Sequence, residues 1–273
     1  MKSSKKTDEF FWKENFEDFT GKEARRYHEG VSDTPFNLRL YDRLMTDLLS
    51  KYLLGGPMKI LDAGGGTGKW AVYFAQMGHR VTLMDISEPM LKVAEAVVRA
   101  ANLQDSVSIE QGTITGLRYE TGRFDFVFCD RNPISHCGKM EASHSAVKEL
   151  CRVLKPGGVI IASVLNKYRK MAQLVSELDL EKAKSFLAEG DLMRGEGTHT
   201  HYYTIEELGA CLKEAGFQEP RLFGTTVFAE WIPTAWLLNE NVVDKLYELE
   251  AAAREIPDLS VYGVRLHFVA HKG

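Results

Sequence analysis

Residues 58–68 read Met-Lys-Ile-Leu-Asp-Ala-Gly-Gly-Gly-Thr-Gly, and the rest of the chain is arranged around them. Met58, Ile60 and Leu61 form a short apolar run that ends at Asp62, the pattern of a buried strand. Glycines follow, and a helical pattern starts at once, with Trp70, Ala71, Phe74 and Ala75 on one face. Strand, glycine turn and helix make the nucleotide-binding corner of a doubly wound sheet. Glycine lets backbone approach a ligand closely, and the helix N-terminus offers free N–H groups.

The spacing discriminates among nucleotides. Gly64, Gly66 and Gly68 give G-x-G-x-G, with Asp62 two residues before the first glycine. A dinucleotide fingerprint requires glycine at 69, where this chain has Lys69. A phosphate-cradling loop would use Gly68-Lys69, but Ala63 stands where its first glycine belongs and Trp70 where its hydroxyl belongs. The pattern Asp62-x-Gly64-x-Gly66-x-Gly68 resembles motif I of the class I S-adenosylmethionine (SAM) dependent methyltransferases. Two further features fit the resemblance. Asp85 ends the next apolar strand, Arg80-Val81-Thr82-Leu83-Met84, where an acid can accept both hydroxyls of an adenosine ribose. Leu154-Lys155-Pro156-Gly157-Gly158 is a sharp turn into a later strand.

Outward from the turn, strand and helix patterns alternate. Strands are predicted at 58–62, 80–85, 106–111, 124–129 and 159–164. Helices fall at about 68–77 and 88–101, and a third runs to Leu154. This spacing predicts a parallel sheet with helices on both faces. Before it, Leu40, Leu44, Leu48 and Tyr52 mark a helix that Gly55-Gly56-Pro57 stops. Beyond 165 the alternation loosens. A single helix is expected over 170–188, then a mobile, glycine-bearing segment over 189–200. A capping box, Thr204 to Glu207, opens a helix over 204–215. Strands six and seven are expected at 217–223 and 263–271. Between them lie about forty residues with Trp231, Trp236 and a helical pattern near 239–255, too apolar for a linker.

The resemblance spans roughly residues 55–225. It implies a Rossmann-like, doubly wound, seven-stranded and mostly parallel sheet whose last strand is antiparallel. The chain then divides into an N-terminal helical cap (1–54), a SAM-binding core (55–224), a substrate-cover insertion (225–262) and the last core strand (263–273). Aromatic residues of the cap, from Phe10 to His28, suit either a lid over the site or packing on the domain surface, at a dimer contact for instance. The resemblance also implies the cofactor residues: Asp62, Gly64, Gly65, Gly66 and Gly68 in the turn, Asp85 and Ile86 at the ribose, Gly112, Thr113 and Ile114 at the adenine, and Asp130 and Arg131 near the methionine end. Tyr27 is a further SAM contact by resemblance alone. Many members carry Gly-Asp where this chain has Gly112-Thr113, so Thr113 or its neighbouring backbone takes that role. The product would be S-adenosylhomocysteine (SAH).

On the acceptor side, His136, His199 and His201 are the candidate bases. Asn132-Pro133 begins like the N-P-P-aromatic motif of amino-methylating nucleic-acid enzymes, but Ile134 and Ser135 break it. The motif order is most like small-molecule and quinone-type members, which implies a small, aromatic or partly apolar acceptor. RNA methylation and non-catalytic SAM binding are the alternatives. The net charge of −4 gives no footprint for nucleic acid. No His/Cys spacing matches a standard zinc pattern. Four cysteines without a C-x-x-C pair, no apolar leader and no spanning segment point to a cytoplasmic protein; a monomer and a homodimer are both compatible with the sequence.

Overall fold

The computed structural model describes residues 35–194, 198–232, 236 and 239–273. Its central sheet follows from strands that are apolar on both faces. Ile60, Phe126, Phe128, Ile161 and Val269 are buried on one face, and Leu61, Val127, Ile160, Ala162 and Phe268 on the other. Such strands need helices on both sides. β1 (Lys59–Ala63), β2 (Arg80–Asp85), β3 (Val107–Gln111), β4 (Phe124–Cys129) and β5 (Leu154–Leu165) run parallel. In the sheet order β3-β2-β1-β4-β5-β9-β8, β9 (Arg265–Lys272) lies antiparallel between β5 and β8 (Phe217–Thr225). This is the seven-stranded sheet with an antiparallel last strand that the alternation and the resemblance imply.

Helices α1 (Pro35–Ser50), α2 (Lys69–Gln76) and α3 (Glu88–Ala100) cover the face of Phe126 and Phe128. Phe74 of α2 meets both of these rings edge-on, at 6.2 and 5.4 Å between centroids. α4 (Met140–Val153) covers the other face with Ala146, Val147 and Leu150. α3 is capped at its start: Ser87 Oγ accepts the Met90 N–H at 3.4 Å, and Pro89 sits in the first turn, where its missing N–H costs nothing.

The segment 170–188 departs from the single predicted helix. It holds two, α5 (Lys167–Ser176) and α6 (Leu180–Glu189). The start moves forward because Asn166 Oδ1 accepts the N–H groups of Tyr168 and Arg169. The break falls at Leu178, which is left-handed (φ 58°) and exposed, so no packing opposes it. The N–H groups of Leu178 and Asp179 turn back to the carbonyls of Val175 and Leu174 and close α5.

The segment 189–200, read as mobile, is instead a hairpin of β6 (Asp191–Arg194) and β7 (Thr198–His201), paired from Asp191↔His201 to Arg194↔Thr198. Gly190, at φ 73°, ends α6 and turns the chain into it. Buried Leu192 and Thr200 hold it down. α7 (Ile205–Glu214) then packs on the α4 side through Leu208, Cys211 and Leu212, opened by the predicted Thr204 cap.

The stretch before β9 carries α8 (Glu240–Ala253), which packs on α1. Leu40, Leu44, Ala229 and Leu246 form a small buried cluster between them. Glu250 accepts the N–H groups of Val227, Phe228 and Ala229 at 2.8, 2.8 and 2.9 Å. Arg254 donates to the Leu44 carbonyl at 3.0 Å and to Asp47 at 2.5 Å. Tyr27 and the rest of the cap through residue 34 lie outside the described residues.

Candidate functional site

In an open α/β sheet, ligands bind beyond the carboxyl ends of the strands, where the strand order reverses. Here that point lies between β1 and β4, and it holds a cavity of about 220 Å³. Gly64 and Gly66 from the turn, with Asp85 and Ile86 from β2, line one part. Gly112, Thr113 and Ile114 after β3 line another, and Asp130, Arg131 and His136 after β4 complete it. Met84, Ser87, Met90 and Pro133 also face the cavity, and no sequence pattern placed them at the cofactor.

The glycine turn is shaped by what surrounds it. The N–H groups of Gly64 and Gly65 both bond to the Met84 carbonyl, at 2.7 and 3.1 Å. Gly64 is at φ 74°, and a Cβ there would come within 2.5 Å of Pro133 Cγ. That contact seats the loop after β4 against the turn. Gly65 and Gly68 build the turn without lining the cavity, and α2 starts directly after Gly68. Lys69, the near-miss phosphate-loop lysine, pairs with Asp42 of α1.

Asp62, expected as a cofactor contact, is not among the residues that line the cavity. It is 2% exposed and lies beneath the turn, where it accepts the Ala71 N–H. Burial first, then the Asp85 and Asp130 carboxylates, push it up to about 8, so at neutral pH it is held mostly as the neutral acid.

Asp85 does reach the cavity. Its Oδ2 accepts the Gly66 N–H at 2.8 Å and its Oδ1 accepts the Ser87 N–H at 2.9 Å. Burial raises its pKa against these bonds. The two N–H donors fix the carboxylate, and each oxygen keeps a lone pair for a ligand hydroxyl.

Asp130 is the centre of a buried network that the sequence did not reveal. Its Oδ1 accepts from Tyr41 Oη at 2.5 Å, Ser163 Oγ at 2.9 Å and His267 Nε2 at 3.2 Å. With the proton on Nε2, His267 Nδ1 accepts from Thr225 Oγ1 at 3.0 Å. Burial alone would raise Asp130. The bonds from His267 and Tyr41 and the charge of Arg131 outweigh it and hold the carboxyl well below the usual range. Its second oxygen, Oδ2, is buried without a partner among the described residues. An ionised, half-satisfied carboxylate lining a cavity suits a cationic ligand group. The next two residues, Arg131 and Asn132, both take left-handed backbone (φ 64° and 70°), a strain concentrated at the site.

The three candidate histidines separate. His136 lines the cavity, and its Nδ1 lies 3.5 Å from Thr200 Oγ1 of the hairpin. His199 stands in β7, its Nδ1 buried without a partner among the described residues. His201 is 2% exposed, with Nδ1 on Asp191 at 2.6 Å and Nε2 on Glu207 at 2.9 Å. Both its nitrogens are engaged, so it is a structural pin rather than a base for an acceptor. Among the described residues no group of three or more His, Cys, Asp or Glu is placed to hold a metal ion. No described helix is long and apolar enough to cross a membrane.

The cavity fits SAM on its own terms, with a fixed carboxylate for ribose hydroxyls, a partnerless carboxylate oxygen for an ammonium, and apolar walls from Met84, Ile86, Met90 and Ile114. Comparison with known proteins agrees. The family described as a methyltransferase domain matches residues 60–158. The ubiquinone/menaquinone biosynthesis C-methyltransferase of Shewanella sediminis is 31% identical over 176 residues, covering 59% of this chain and 67% of that protein. The ubiquinone biosynthesis O-methyltransferase of Pseudomonas aeruginosa (strain UCBPP-PA14) is 29% identical over 171 residues, covering 62% and 68%. A SAM-dependent methyltransferase structure from Methanosarcina mazei shares the fold with a TM-score of 0.57 at 20% identity, covering 82% of this chain and 96% of that one. Family match, relatives and fold converge: the chain belongs to the class I SAM-dependent methyltransferases.

Proposed function

We propose that this chain transfers the methyl group of SAM to a small acceptor with an aromatic or partly apolar body. The observation that carries this reading is the pairing, in one cavity, of the backbone-fixed Asp85 carboxylate with the unpartnered Asp130 Oδ2. Asp85 accepts the ribose hydroxyls, and Asp130 accepts the ammonium of the methionine end. Met84, Ile86, Met90 and Ile114 wall the adenine, with Thr113 at its edge. Bound SAM supplies a methyl group already activated on a sulfonium. The residues therefore have to align and desolvate the acceptor more than activate it.

His136, on the acceptor side, takes a proton where the acceptor is a phenol or an amine. In this reading α1 of the cap (1–54) and the described part of the insertion (225–262) cover the core (55–224), and residues 263–273 complete the sheet. The small aromatic acceptor is supported by the two relatives named for ubiquinone biosynthesis and by the net charge of −4, which offers no electrostatic pull toward RNA.

Isothermal titration with SAH, followed by methyl transfer from labelled SAM to a panel of phenols and quinols, tests the reading. SAH binding with label in a panel member is expected. No SAH binding overturns the cofactor site, and label entering tRNA instead overturns the acceptor class.

A further inference from the structure

Behind the cavity wall, on the ring of Tyr41 that braces Asp130, sits a charge that the proposed function leaves unused. Arg265 opens β9, which runs antiparallel, so its first residue lies at the same sheet edge as the ends of β5 and β8: Arg265 pairs with Leu165 on one side and Thr225 on the other. Its guanidinium carbon lies 5.4 Å from the centroid of the Tyr41 ring. Arg131, which lines the cavity, places its own guanidinium carbon 5.2 Å from the same centroid. Two cations, one from the loop after β4 and one from β9, thus meet one buried aromatic side chain, the one that braces Asp130.

Asp130 does not neutralise Arg265. Its Oδ1 is taken by Tyr41, Ser163 and His267. Among the described residues no carboxylate lies within ion-pair distance of Arg265, and its Nε is buried without a hydrogen-bond partner. Other arginines of the same region are paired: Arg254 meets Asp47 at 2.5 Å, and Arg43 meets Asp244 at 2.5 Å. A half-buried guanidinium without a counter-ion is costly unless an anion arrives with the ligand. The planar fork of arginine matches an oxyanion bidentately, and stacking on Tyr41 pre-orients it.

We propose that Arg265, together with Arg131, binds an oxyanion, a carboxylate or phosphate, carried by the methyl acceptor. This deepens the proposed function and rests on it. Tyr41 links the two guanidiniums to the cavity through its bond to Asp130.

The test is titration of the SAH-saturated protein with 4-hydroxybenzoate and phenyl phosphate, and with the neutral 4-hydroxybenzamide. At least one anion is expected to bind about tenfold or more tighter than the amide, the scale of a charge-assisted pair. Arg265→Met is expected to erase that preference while leaving SAH affinity unchanged, and Arg265→Lys to restore part of it. Equal affinity of anions and amide, or no anion binding by a protein that does bind SAH, overturns the proposal. A fall in SAH affinity in folded Arg265→Met also overturns it, by assigning the arginine to the carboxylate of the cofactor. Failure of the wild-type protein to bind SAH would instead strike the cofactor reading, so the two failures are distinguishable. The wild-type comparison stands even where a variant does not fold.

Discussion

Tyr41, on α1, donates its phenol hydrogen to Asp130 Oδ1 at the end of β4, 2.5 Å away. The two residues are 89 apart in sequence, and the bond ties the helix before the core to the strand end at the heart of the cavity. A phenol and a carboxylate buried together are stable only as partners. Tyr41→Phe is therefore expected to cost about 1–3 kcal/mol, the range for a hydrogen bond to a charged group. Denaturant unfolding measures this. The same variant should bind SAH more weakly, because Asp130 loses a donor that holds it ionised and in place. Unchanged stability would show that the bond contributes nothing net.

Asp85 should matter to the ligand more than to the fold. Its protein donors are backbone N–H groups, among them Gly66 of the turn and Ser87 at the α3 N-cap. Asp85→Ala is expected to weaken SAH binding by more than about 1 kcal/mol, from lost hydrogen bonds to ribose, while the unfolding midpoint moves little. Calorimetric titration beside a thermal melt separates the two effects. Unaltered SAH affinity would place the ribose elsewhere.

The glycines predict opposite phenotypes two residues apart. A side chain at Gly64 meets Pro133 at 2.5 Å, so Gly64→Ala should destabilise the protein and displace the loop after β4. At Gly66 the nearest atom to an added Cβ is Asp85 Oδ2, at 4.0 Å. Gly66→Val therefore has room, at the cost of a strained φ of 54°, and its side chain fills space that a ligand needs. The expected result is a folded protein, by circular dichroism, that no longer binds SAH.

The contrast between these residues explains what the sequence disclosed. The turn, Asp85 and the Gly112–Ile114 stretch were legible because each is a local pattern at a strand end, and strand ends in a parallel sheet share one edge. Asp62 belongs to the same motif, yet it faces inward, under the turn; a spacing rule does not reveal on which side of a loop a carboxylate lies. The bracing of Asp130 was illegible for a different reason. Tyr41, Ser163 and His267 arrive from α1, β5 and β9, and only tertiary packing brings them together. His267 did leave one signal, an imidazole inside the otherwise apolar run Leu266–Ala270. The hairpin of β6 and β7 was missed because its strands have four residues each, too short for periodicity to register.

His201 supplies the hairpin's charged pin, and its pH dependence follows. Burial alone lowers its pKa, but hydrogen bonds to Asp191 and Glu207, with their charges, outweigh this and raise it to about 9. An unfolded histidine titrates near about 6.5. The folded value lies above the unfolded one, so the stabilisation is complete below about 6.5 and is lost as pH rises through about 9. Wild-type stability should therefore fall across that window. In His201→Gln, which cannot carry the charge, the same window should be flat apart from other groups. The variant should also be less stable at pH 6, because Asp191 and Glu207 then lose the cation between them. Unfolding curves for both proteins at pH 6, 7.5 and 9 decide it. Because Thr200 of the same strand lies against His136, loss of the pin should also lower the transfer rate at saturating SAM, with SAH affinity retained. Parallel pH profiles for wild type and variant would mean that the two carboxylates do not hold His201 charged.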